Sequence, residues 1–438
     1  MGKNNTIKHI CTINFISTNK NKARKFMDSK KFSKNINILA ATTALLCSPL
    51  AFAQQSLLVW EDIQKAFGNA DAVAAFEKQH DVKVQVLEMP YGGQVESLRM
   101  DGPAGTGPDV ILIPHDQIGG AVIQGLLAPI QSKPEVINTF SQSSIDALTY
   151  NGVLYGLPKS VETVFMVYNK DLIPELPDTL DEIFELSKKF REEGKYGLLA
   201  KWDELYYTYG ILNGMGGDVF AKKADGSYDS NRVLLNNPGA VEGASYIQKF
   251  YQSKVFPTGI IGNNGLNAID SLFTSNKAAI VQTGPWSLQP YKEAGINYGV
   301  APLPKLPSGE PMGSFMGVKS YSISTFSKNK ALAQEFIEFV NNYDNAKHRF
   351  ELTGEVPAVT KLVDDPVIKN DPGARAVAMQ SIHSTSMPSI PEMNEVWGPA
   401  NSALQLIATN KQDPKGALDA AVESINMQIE ANHAMMGQ

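Results

Sequence analysis

The sequence predicts an α/β fold built on a largely parallel sheet. Short apolar runs, bounded by polar or turn residues, alternate with amphipathic helical stripes along most of the chain. One run, Asp109-Val110-Ile111-Leu112-Ile113, lacks polar alternation after its first residue, as a strand covered on both faces should. Several helix starts also carry capping residues at the right offsets.

Taken in order, Leu57-Leu58-Val59-Trp60 reads as the first strand, ending at Glu61-Asp62 with Lys65 just beyond. Residues 70–80 place Val73 and Phe76 on one helical face, and 83–87 alternates as a strand. The run at 109–113 leads into Pro114-His115-Asp116-Gln117. Residues 163–168 read as a strand. Thr179 and Glu182 then form a capping box ahead of Ile183, Leu186 and Phe190. Asn237-Pro238 opens a helix carrying Val241, Ala244, Ile247 and Tyr251, and Asp413-Pro414 opens another carrying Leu418, Ala421 and Ile425. Strands are expected at 278–282, 298–301 and 315–323. Residues 330–340 align Leu332, Phe336 and Phe339 on one stripe. There is no internal repeat and no Gly/Ser-rich tether, so any domains are joined by strands or short segments.

The chain has 438 residues, which suggests two or three domains. Its first 53 residues read as a secretory leader. Lys30, Lys31 and Lys34 form a basic start, 36–46 is an apolar or small-residue run, and Ala51-Phe52-Ala53 is an A-x-A cleavage site. Met27 stands as an alternative start. The leader holds nine of the 39 Lys/Arg and one of the 45 Asp/Glu, leaving 30 against 44 and a net charge of −14. Such a balance argues against non-specific nucleic-acid binding. Cys11 and Cys47 both lie in the leader, so the exported chain has neither a disulfide nor a thiolate ligand. Cys47 raises the alternative of lipid attachment, but Leu46 is bulky where that processing wants a small residue. The reading is a free soluble protein in the periplasm of a two-membrane bacterium. No later stretch reaches the ~20 apolar residues of a membrane span.

Catalytic signatures are missing. The five histidines of the exported chain, His80, His115, His348, His383 and His433, show no metal-ligand spacing. There is no G-x-S-x-G, no G-x-x-x-x-G-K-[ST] and no G-x-G-x-x-G. Paired carboxylates remain an open alternative, because many acids supply candidates. In open parallel sheets, ligands sit beyond the carboxyl ends of strands. Glu61-Asp62 with Lys65, and His115-Asp116-Gln117, stand at such ends, where solvated loops or caps compete evenly as a reading.

An ordered set of strings resembles the bacterial extracellular solute-binding proteins of ABC importers, in particular the maltose/maltodextrin-binding group. These are Leu57 to Trp60, Gly107-Pro108-Asp109-Val110-Ile111, His115-Asp116, and Tyr168-Asn169-Lys170-Asp171-Leu172-Ile173-Pro174. Gly284-Pro285-Trp286, Asn297-Tyr298-Gly299-Val300 and Met387-Pro388-Ser389-Ile390-Pro391-Glu392-Met393 complete the set. The resemblance implies a type II, Venus-flytrap fold of two α/β lobes joined by hinge crossovers, with ligand closed between them. It assigns 54–161 and 318–368 to the N-terminal lobe, and 165–313 and 372–438 to the C-terminal lobe. It implies a neutral oligosaccharide ligand of maltodextrin type, an inner-membrane ABC permease as partner, a monomer, no chemistry, and neither cofactor nor metal.

A sugar presents flat C–H faces and a rim of hydroxyls, so its binder wants aromatic platforms and polar side chains. By resemblance, Trp286, Trp397 and Tyr206 are the platforms, and Lys65, Asp116, Glu162 and Glu204 hold hydroxyls. Asp62 is a weaker match. Trp60 reads as structural, Trp202 is undecided, and His115 reads as supporting structure. The chain departs from the maltodextrin pattern at Ile113, where that pattern has Trp, and at Gln117, where it has Arg. These departures allow a longer, cyclic or different sugar, with Tyr91, Tyr207 or Tyr209 as compensating rings. A polyamine ligand and a secreted glycoside hydrolase using two of Asp116, Glu162 and Glu204 are the competing readings.

Overall fold

The protein is described by a computed structural model covering residues 55–224 and 226–436, so the leader and both cysteines lie outside the described residues. Strand β1 (Ser56–Glu61) leads through a short turn to α1 (Ala70–His80) and β2 (Lys83–Glu88). Strand β3 (Val110–Pro114) follows, then β4 (Leu157–Thr163) and β5 (Phe165–Asn169). Next come α2 (Leu180–Glu192), β6 (Tyr196–Leu199), α3 (Leu205–Gly214) and α4 (Pro238–Gln252). Strand β7 (Ala278–Thr283), α5 (Leu288–Glu293) and β8 (Tyr298–Ala301) lead to the 11-residue β9 (Ser314–Ser324). Helices α6 (Lys330–Val340) and α7 (Tyr343–Thr353), β10 (Ser384–Ser386), α8 (Asn394–Ala408) and α9 (Pro414–Met436) complete the path.

Capping explains several of these boundaries. Thr179 accepts from the Glu182 amide while Glu182 reaches back to the Thr179 amide, which closes the predicted box and starts α2. Asn237 accepts from the Ala240 amide at 2.8 Å and so opens α4.

Two sheets organise the chain. The larger runs β10-β9-β3-β1-β2, with β4 and the two-residue strand Leu127–Ala128 also pairing with β9. The smaller runs β8-β5-β7-β6. The chain passes between them with almost no slack: β4 ends at Thr163, β5 begins at Phe165, and only the buried Val164 intervenes. It returns between Ala301 and Ser314. The apolar run predicted as one strand over 163–168 is therefore divided between two sheets.

The expectation of a largely parallel sheet needs correction. β1 pairs parallel with β2 and β3, β6 with β7, and β9 with β10. β9, however, runs antiparallel to β3 and β4, and β5 runs antiparallel to β7 and β8. In the larger sheet the strands laid down after the chain returns, β9 and β10, run opposite to β1, β2 and β3; in the smaller sheet the entering strand β5 runs opposite to β7 and β8.

A buried charged network joins the end of β1 to β4 and β9. The Lys159 ammonium sits 2.9 Å from Glu61 and 3.0 Å from Glu355. Tyr321 donates to Glu61, and Asn69 donates to both Glu61 and Tyr321. Arg349 donates to the Lys159 and Val340 carbonyls and to Asn69 and Asn341. Burial alone would raise the Glu355 carboxyl, yet Lys159, Lys319, Lys65 and Arg349 together hold it down to about 2. Replacing one member leaves the others charged and unpaired. Lys159→Met should therefore lower stability by about 3–5 kcal/mol, read as a lower midpoint in equilibrium urea unfolding.

Candidate functional site

A groove opens where the loops after β1, β2 and β3 meet α3, α5 and α8. Its first chamber, about 500 Å³, falls in the range of small-molecule sites. Asp62, Lys65, Glu162, Glu204, Tyr206 and Trp286 all line it. Asp116 and Trp397 line a second, smaller chamber. Tyr91, Glu162, Tyr206 and Lys319 border both, so the chambers are continuous. All eight residues singled out from the sequence are thus gathered along one groove.

The aromatic platforms differ in how they are held. Trp286 is half-buried on the turn Gly284-Pro285 that starts α5, with its ring 6.4 Å from Tyr206. Tyr206 packs edge-on against Tyr207 at 5.4 Å, and its hydroxyl is buried without a hydrogen-bond partner. Trp397 in the first turn of α8 is half-buried, packs edge-on against Phe315 at 6.1 Å, and donates its indole N–H to Asp116 at 3.0 Å. The other two tryptophans are core: Trp60 is 2 % exposed, and Trp202 is fully buried with its N–H on Gln282.

The polar groups form opposed charges rather than one uniform field. Lys319, in the middle of β9, lies 3.0 Å from Glu162 and 4.5 Å from the centre of the Tyr91 ring. Burial would strip its proton, but Glu162, Tyr91, Glu355 and Asp62 hold its pKa well above the usual lysine value. Burial raises the Asp62 carboxyl against the pull of Lys319, and burial likewise depresses the Lys65 ammonium. Glu204 precedes α3 without capping it; its carboxyl lies 3.2 Å from Lys201 and is raised by burial.

Asp116 is the most confined acid. It is 3 % exposed, Oδ2 accepts from Trp397, and Oδ1 has no hydrogen-bond partner. Burial pushes it up to about 6. His115 beside it accepts from the Val318 amide through Nδ1 and donates through Nε2 to the Met387 carbonyl. Burial lowers it to about 4, so it stays neutral near pH 7 and ties the β3 loop to β9 and the Met387 segment.

Reading the sequence missed Lys319, although it is the one charge in an 11-residue run of otherwise uncharged strand. Of the three compensating tyrosines, Tyr91 and Tyr207 line the first chamber. Tyr209 instead stacks on Phe315 at 3.7 Å and lines neither chamber. Ile113 is fully buried in the sheet, and Gln117 lines the second chamber.

Known proteins resemble this chain over most of its length. A family model described as bacterial extracellular solute-binding protein matches residues 71–376. The galactooligosaccharide-binding protein of Bacillus subtilis is 53 % identical over 86 % of this chain and 90 % of its own. The maltodextrin-binding protein MdxE of the same organism is 38 % identical over 82 % and 86 %. A cyclo/maltodextrin-binding protein solved with maltotetraose superposes with a TM-score of 0.73 at 39 % identity, covering 86 % of this chain and 97 % of that one. MalX of Streptococcus pneumoniae, solved with maltopentaose, gives 0.79 at 31 % identity, covering 85 % and 100 %.

Raising a carboxyl from near 4 to about 6 costs its ionised form about 3 kcal/mol. Between those pH values the folded protein keeps a proton that the unfolded chain has lost, so Asp116 subtracts stability as pH rises and the penalty is complete above pH 6. Asp116→Asn should therefore raise the ligand-free Tm at pH 7.5 and change it little at pH 4, as differential scanning calorimetry would show.

Proposed function

The chain belongs to the bacterial extracellular solute-binding proteins, and on that premise we propose that its groove captures a neutral oligosaccharide and releases it unaltered to an inner-membrane ABC permease. The family binds solutes on the outer side of the membrane, and its two-lobed fold is the fold seen here. We assign the lobes to 54–161 with 318–368 and to 165–313 with 372–438, the start of β9 and its partner β10 lying at the crossing between them. Hinge motion at the crossings, the shortest of them Val164, closes them on the sugar. The protein acts in the periplasm as a free monomer after removal of the leader at 1–53.

One observation carries the reading. Half-buried indole and phenol rings, Trp286, Tyr206 and Trp397, share a groove with two buried polar atoms that have no protein partner, Asp116 Oδ1 and Tyr206 Oη. Flat sugar faces match the rings, and hydroxyls match the orphaned atoms. Lys65 and Lys319 among the acids work against a polyamine, while the net charge of −14 works against an anion. Micromolar affinity needs about −8 kcal/mol, a scale that a few stacked rings and charge-assisted hydrogen bonds reach.

The maltodextrin reading rests on the motif residues and on relatives solved with maltooligosaccharides. A galactooligosaccharide is the second reading. It is favoured by the higher identity to a galactooligosaccharide-binding relative, 53 % against 38 %, and by Ile113 and Gln117, which remove a ring and a cation from the maltodextrin pattern.

Isothermal titration with maltooligosaccharides and β-galactooligosaccharides should find at least one series binding at micromolar Kd or tighter. Trp286→Ala should weaken the bound series at least tenfold while its circular dichroism stays that of the parent protein. Undiminished affinity in that variant would remove Trp286 from the site.

A further inference from the structure

The first lobe lacks the ring that the maltodextrin pattern places at position 113, yet the groove holds an aromatic side chain that this pattern does not explain. Phe67 lines the first chamber with 50 % of its surface exposed, and Ile63 beside it is 46 % exposed. An exposed phenylalanine on a loose loop would turn inward to shed water. This loop has little such freedom. Glu88 Oε1 accepts from the Lys65 amide at 3.0 Å and the Ala66 amide at 2.9 Å, and Asp62 Oδ1 accepts from the Ile63 amide at 2.9 Å.

The backbone is constrained as well. Gln64 sits at φ 57°, a left-handed conformation costly for a residue with a side chain and sustained only where its surroundings impose it. Gly68 lies so close to α7 that a Cβ there would stand 2.5 Å from Thr353 Cγ2. The loop is therefore wedged against α7 and pinned to β2, and it holds the Phe67 ring open to the groove.

The chamber that Phe67 enters is lined by Trp286 from the turn before α5 and by Gln289, Pro290 and Glu293 from α5, with Gln289 donating to Glu293 at 2.8 Å. Beyond the unit assigned to Trp286, the Phe67 ring and the amide–carboxylate pair of Gln289 and Glu293 suit one further sugar unit: an apolar face for its C–H surface, donors and acceptors for its hydroxyls. Phe67, Gln289 and Glu293 line only this chamber, whereas Asp116 and Trp397 line only the other. Units held by Trp397, Tyr206 and Trp286 would leave the Phe67 end of this chamber for a further one.

Building on the oligosaccharide reading above, we propose that Phe67 is a stacking platform for an additional sugar unit and sets a preference for longer chains. The ring supplies, from the loop after β1, the platform that Ile113 does not. It acts on the length of the ligand more than on the unit shared by all ligands.

The test is isothermal titration of the full exported chain, its Phe67→Ala and its Phe67→Tyr variants, with the di-, tri- and tetrasaccharides of the maltose and β-galactose series. The parent should bind the tri- or tetrasaccharide of one series more tightly than its disaccharide. Phe67→Ala should shrink that ratio at least tenfold, Phe67→Tyr should keep it, and the ligand-free Tm should match the parent in both. A ratio unchanged in Phe67→Ala, an equal loss at every length, or a collapse of its ligand-free Tm would overturn the proposal while leaving the oligosaccharide reading intact. A parent protein that binds no sugar of either series would overturn both.

Discussion

Two lysines buried in strands are what the rest of the architecture answers to. Lys159 in β4 and Lys319 in β9 are 1 % and 5 % exposed, and an ammonium in that position is untenable without charged partners. Their partners come from four places in the chain: Glu61 at the end of β1, Asp62 in the next loop, Glu162 in β4 and Glu355 after α7. Satisfying the lysines thus fixes the end of β1 against the bodies of β4 and β9. Asp62, Glu162 and Lys319 of this set line the groove. Lys159 acts from outside that lining and Lys319 from within it, with Tyr91 stacked on the Lys319 charge.

That pairing explains why the groove suits an uncharged polar ligand. Lys319 meets Glu162, and Glu204 meets Lys201, so much of the charge is already compensated inside the protein. Among the described residues that line the groove, the buried polar atoms left without a partner are one carboxylate oxygen on Asp116 and the phenol oxygen of Tyr206. A hydroxyl can complete either without bringing a charge of its own into a confined space. The raised pKa of Asp116 records the same tension, since the groove holds an acid whose ionised form is poorly solvated until something occupies the space beside Oδ1.

Much of this was legible in the residues because it is local. The capping box at Thr179 and Glu182, the Asn237-Pro238 start and the uninterrupted apolar run ahead of Pro114 depend on neighbours within a few positions, and each appears where the pattern places it. Strand direction was not legible. β9 pairs with β3 across some two hundred residues, and nothing in its own run tells whether that pairing is parallel. The run at 163–168 shows the same limit, because an apolar strand looks alike whether or not the sheet changes at Val164. Among site residues, those placed by a recognisable string were found. Lys319 was passed over since an isolated lysine normally denotes surface, and only the surrounding apolar run argued otherwise. Phe67 carries no signal at all, because exposure of an aromatic ring is a property of the folded loop.

The placement of the tryptophans has an optical consequence. Four indoles are present; Trp60 and Trp202 are sealed in the core, while Trp286 and Trp397 face the groove from α5 and α8. The sealed pair does not touch the groove. Emission from the other pair changes as water leaves their faces. Intrinsic fluorescence therefore reads the groove through two of the four indoles, with no dye attached.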